Sequence, residues 1–199
     1  MYATTTLDKS LSDVRRQMLA TVAGNTTPAL LAFAGVISLA PQRRGAYRMP
    51  IAGLKLDELE ELISSRFPGA RELLPVLQSW HEQGESAARQ NLDEFADLLA
   101  LLTAHQSLPG KESQWLACAI ATAAMADNHL WQDLGLPNRG VLNSLMQTHF
   151  TALKLKNAGD MKWKKFFYRQ LCMEAEVLIC KSPNCAVCCD HAICFGPEN

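Results

Sequence analysis

Four cysteines near the end of the chain, Cys180, Cys185, Cys188 and Cys194, are spaced as C-x4-C-x2-C-x5-C. Thiolates this close in sequence can surround one metal centre if the backbone turns tightly around it, and Pro183, Asn184 and Asp190 favour such turns. Six of the seven cysteines, Cys172 and Cys189 included, lie in the final 28 residues, and only Cys118 precedes residue 170. The N-terminus has no basic segment followed by an apolar one, so no export signal is read and a cytoplasmic location is expected. An odd cysteine count in a reducing compartment argues against a disulfide framework.

Three chemistries compete for the cysteines. Structural zinc usually takes two short pairs of ligands separated by a longer connection, a poor match for gaps of four and five. The C-x4-C-x2-C portion matches plant-type ferredoxin spacing, although those proteins take a fourth cysteine from much further along the chain. Iron-sulfur therefore stands ahead of zinc. A redox pair such as Cys185 and Cys188 lacks the βαβ context that makes C-x-x-C persuasive.

The element leading into the cysteines is a helix, Met161 to Leu171. At 100° per residue Trp163, Phe166, Phe167 and Leu171 share one face, while Lys162, Lys164, Lys165 and Arg169 share the other. Asp160 is expected to cap it. The net charge is −1, with 19 Lys+Arg against 20 Asp+Glu, so no global field draws the chain to nucleic acid or membrane. The positive charge is local, where the chain enters the cysteine segment. Such a face is most often simply solvated, but beside an anionic cluster it would favour anions and depress thiol pKa values. Cys172 falls on this basic side, as a reactive thiol or as one merely tolerated at a helix surface.

Elsewhere the apolar spacing is helical: Leu56, Leu59, Leu62 and Ile63; then Leu92, Phe95, Leu98, Leu99 and Leu102; then Trp115, Leu116, Ala119, Ile120 and Ala123. No stretch alternates as a half-buried strand does. The expectation is an all-α bundle of about seven helices punctuated by Pro and Gly. It divides into a variable helical region over 1–52, a helical core over 53–179 and a cysteine-rich metal-binding loop over 180–199. The PQRRGAYRMP stretch reads as a linker. At 199 residues and 48% hydrophobic content the chain can bury a core without metal, and its most apolar run, Ala29 to Ala40, is too short to span a bilayer. No G-x-S-x-G, H-E-x-x-H or phosphate loop points to an enzyme.

Three blocks carry a resemblance: DNHLWQDLGL at Asp127 to Leu136, GDMKWKKFFYRQLC at Gly159 to Cys172, and the cysteine run ending in Cys194-FGPE. In this order they resemble the NifQ family of nitrogen-fixation proteins, over roughly residues 90–199. The resemblance implies a molybdenum-iron-sulfur cluster on Cys180, Cys185, Cys188 and Cys194, with molybdate as the source. It also implies donation of molybdenum to the nitrogenase iron-molybdenum cofactor. The partners it implies are cofactor-assembly proteins, a scaffold and the Fe protein. Molybdenum in a cubane wants exchangeable oxygen or nitrogen ligands besides thiolates. His129 and His191 are candidates, each with an ordinary alternative as a packed residue, and Cys172 and Cys189 are further possible contacts. Outside this resemblance, the competing reading is a zinc-stapled helical interaction module.

Overall fold

The computed structural model describes residues 13–20, 22, 24, 26–87, 93–176 and 191–198, and among these there is no strand. Cys180, Cys185, Cys188 and Cys189 lie outside the described residues. The helices are α1 (13–20), α2 (Pro28–Ser38), α3 (Leu56–Arg66), α4 (Leu74–Ala87), α5 (Asp93–Ala104) and α6 (Lys111–Ala124). They continue with α7 (Leu130–Asp133), α8 (Arg139–His149), α9 (Thr151–Lys156), α10 (Trp163–Glu174) and α11 (His191–Phe195). The segments exceed the seven or so expected because α7, α9 and α11 are pieces of one or two turns, too brief for periodicity to register.

α6 is the axis of the core. Every residue from Trp115 to Ala124 is buried, as a helix apolar on all sides must be, and α5, α2 and α7 pack around it. Thr122 satisfies its hydroxyl by donating to Cys118 O at 2.7 Å and accepting from Ala52 N at 2.9 Å, which ties the chain before α3 to this axis. α3 buries Leu59, Leu62 and Ile63 as the spacing predicts. α5 buries Phe95, Leu98 and Leu102, with Leu99 only partly covered.

Residues 28–52 belong to the same core as the helices after them. Thr27 caps α2 by accepting from Leu30 N, Pro28 opens it, and Phe33, Val36 and Ile37 are wholly buried. Gly35 permits the contact with the α7–α8 turn: a Cβ there would lie 2.1 Å from Leu134 O, and Gly135 opposite adopts φ +63. The linker-like stretch is two 3-10 turns, Ala40–Gln42 and Gly45–Arg48, the second packed on α4. Buried Arg43 holds them by donating to Val36 O at the end of α2 and to Tyr47 O. Polar composition resembles a linker, but here the arginine side chain supplies the tertiary bonds.

No helix among the described residues is long and apolar enough to cross a membrane.

Candidate metal centre and adjoining cleft

Asp133 ends α7 with its side chain 7% exposed, and a carboxylate so buried needs hydrogen bonds or a counter-charge. It accepts from Asn128 N and Asn128 Nδ2, both at 3.0 Å, and from Lys164 Nζ at 2.6 Å. Lys164 also donates to Ala126 O at 2.6 Å. The 127–133 turn is thereby fastened to the first turn of α10, and Lys164 spends its charge inside the protein. At the head of the turn, His129 N donates to Gln132 Oε1 at 3.1 Å.

The start of α10 is built differently from the expectation. Asp160 does not cap it; it sits at φ +53, with its carboxylate 3.2 Å from Arg139 Nη2 and 3.9 Å from Lys154 Nζ. The helix begins at Trp163, with Lys162 preceding it and no side chain capping the first turn. Asn157 bridges the bend, donating to Met161 O and accepting from Met161 N, both at 2.9 Å. The aromatic face is core as predicted: Trp163, Phe166 and Phe167 are buried in mutual ring contact. Trp163 Nε1 donates to Asn143 Oδ1 at 2.8 Å.

The chain on the far side of the cysteines returns to this point. Lys162 N donates to Cys194 O at 2.8 Å. Arg139, the first residue of α8, donates through Nη2 to Asp160 O at 2.7 Å and Met161 O at 3.0 Å. Its Nη1 lies 2.8 Å from Glu198 Oε1, on a side chain only 4% exposed. The stretch that carries Cys194 and Glu198, the C-terminal stem of the cysteine segment, is thus held at the start of α10. That helix has 12 residues and extends about 18 Å away from the junction.

Of the proposed ligands, Cys194 is described, half-buried on α11. Cys172 is half-buried near the end of α10. Cys118, never a ligand candidate, is buried, and burial pushes its thiol up to about 12, leaving it protonated and inert. His191 is exposed and stacks on Phe195 at 4.5 Å. His129 comes to the stem, its Nδ1 3.7 Å from Glu198 Oε1, so the 127–136 block does fold against the segment that carries Cys194. Among the described residues no three His, Cys, Asp or Glu side chains gather as a metal site.

Between the 127–133 turn, the first turn of α10 and α11 lies a cleft of about 500 Å3. Asp127, His129, Lys162, Lys165, Ile193 and Glu198 line it, with Lys164 at its wall. Arg169 lies further along α10, exposed. A centre bound by Cys194 would therefore sit beside lysines, which suits the net negative charge of a thiolate-ligated cluster. Sequence reasoning missed Arg139 and the role of Glu198. The FGPE ending carried a signal for Glu198, but nothing local marks Arg139.

The NifQ family profile matches residues 32–196. The chain is 35% identical over 163 residues to "Protein NifQ" of Azotobacter vinelandii, covering 79% of this chain and 84% of that protein. To the NifQ proteins of Rhodobacter capsulatus and Klebsiella pneumoniae it is 45% identical over 87 residues and 49% over 82, in each case spanning 48% of the relative's length. No solved structure matches.

Proposed function

The chain belongs to the NifQ family, which takes part in nitrogen fixation, and from that premise we propose that it is a molybdenum carrier. Cys180, Cys185, Cys188 and Cys194 hold a molybdenum-iron-sulfur cluster, and the molybdenum passes on for synthesis of the nitrogenase iron-molybdenum cofactor. Bound there, the cluster supplies molybdenum in a sulfide-rich, transferable form. The acceptors in this reading are a cofactor-assembly scaffold and the Fe protein, and the protein acts as an assembly factor in the cytoplasm.

The observation that best supports this reading is the anchored C-terminal stem. Three sequence blocks that are separate along the chain meet through Lys162 N to Cys194 O and Lys164 to Asp133, and Arg139, from α8, adds an ion pair to Glu198. The helical body therefore holds the Cys194 end of the cysteine segment, where a cluster could be presented at the surface. His129, its Nδ1 3.7 Å from Glu198 Oε1, stands at the same place, a candidate for the non-thiolate ligand that molybdenum needs.

The test is anaerobic isolation from molybdate-replete cells. Iron, sulfide and molybdenum should appear together in brown protein, and Cys180→Ala, Cys185→Ala, Cys188→Ala or Cys194→Ala should lose all three. Colourless protein with stoichiometric zinc would show instead a zinc-stapled interaction module.

A further inference from the structure

The cleft beside the stem holds more positive charge than the described residues around it neutralise. Of the cations that line it, Lys164 is matched by Asp133 at 2.6 Å. Of the acids, Glu198 is matched by Arg139 at 2.8 Å, and Asp127 faces Arg44 at 3.9 Å. Lys162 and Lys165 have no acidic partner among the described residues, and both line the cleft. The first turn of α10, capped by no side chain, forms part of the same wall. Its backbone N–H groups and the helix dipole add positive potential there. Two ammonium groups without an acidic partner among the described residues attract a small anion more strongly in a concave site than on open surface.

We propose that this cleft is a binding site for a small tetrahedral oxoanion, held by Lys162 and Lys165 against the His129 wall and the first turn of α10. The site would receive molybdate beside α11, which carries Cys194, before its molybdenum enters the cluster. That identity of the natural occupant rests on the molybdenum-carrier reading. The anion site itself does not, because it stands on the charges lining the cleft.

The test uses the full chain, cluster-free and with its thiols reduced, titrated with sodium molybdate by isothermal calorimetry at low ionic strength. Tungstate, sulfate and phosphate serve as comparison anions. One saturable site is expected, weakened by salt. Lys162→Gln combined with Lys165→Gln should weaken it about tenfold or more. Neither change touches the Lys162 N–H bond to Cys194 O. A control with Lys154→Gln and Lys156→Gln, which removes the same charge from α9, should leave affinity within about twofold. Circular dichroism melts establish that both variants fold.

Equal weakening by the two double variants would overturn the site, since it would show only a net-charge effect, and so would the absence of saturable binding by every anion. Saturable binding of sulfate and phosphate with none of molybdate would uphold the anion site and remove molybdate as its occupant. The metal content of anaerobically isolated wild-type protein tests the carrier reading separately, so failure of one is distinguishable from failure of the other.

Discussion

Lys164 and Asp133 meet at 2.6 Å with side chains 18% and 7% exposed. Removing one member of such a pair strands a charge out of water, which is far costlier than losing a surface ion pair. Asp133→Asn or Lys164→Met should each lower the unfolding free energy by about 3 kcal/mol. The double variant should lose less than the sum. Urea denaturation followed by circular dichroism checks both statements. The helical projection placed Lys164 correctly on the polar side of α10 with Lys162, Lys165 and Arg169. It could not show that Asp133, 31 positions earlier, consumes that one charge, because periodicity reports which face a residue occupies and not what is packed against it.

At the scale of elements, what matters is how α8, α10, α11 and the tail meet. Arg139 joins three of them with one planar guanidinium, whose fork of donors reaches two backbone carbonyls and the carboxylates of Asp160 and Glu198. Hydrogen bonds to a charged group of this kind are worth about 1.5–3 kcal/mol. Arg139→Gln should therefore leave the helices intact while opening the stem. The Lys162 amide, bonded to Cys194 O, and the Gly196 amide, bonded to Ala192 O, should exchange with deuterium about tenfold faster or more. Amides of α6 should be unchanged. Faster exchange throughout the protein would show that Arg139 supports the fold as a whole and not the stem.

At the scale of the whole molecule, one apolar core runs from Val14 in α1 to Phe167 in α10. α11 contributes no buried residue to it, although Cys194 and Phe195 pack partly against it. The body should therefore stand without metal. Stripping metal with a chelator should leave the helical signal at 222 nm largely intact and move the melting midpoint by no more than about 3 °C, within what a change of under 1 kcal/mol produces. Loss of the whole cooperative transition would contradict this. The same core runs through the boundary expected near residue 52: α2, part of the variable helical region of 1–52, packs against both α6 and α8. Gly35 against the α7–α8 turn makes that approach possible. Residues 28–52 are polar enough in places to look peripheral, and only the contact shows otherwise.

The amino-acid order by itself determined the helical class, the buried faces of α3, α5, α6 and α10, the crowding of cysteines at the C-terminus and the family. These depend on local periodicity, spacing and motif, which are written along the chain. Tertiary structure decided that Asp160 binds Arg139 and Lys154 instead of capping α10, that Lys164 is neutralised by Asp133 while Lys162 and Lys165 have no acidic partner among the described residues, and that Arg139 holds the stem beside Cys194. Each of these is a pairing of charges or hydrogen-bonding groups from different elements. Such pairings follow from how the apolar faces stack, and that stacking places His129, Lys162 and Lys165 beside the segment that carries Cys194.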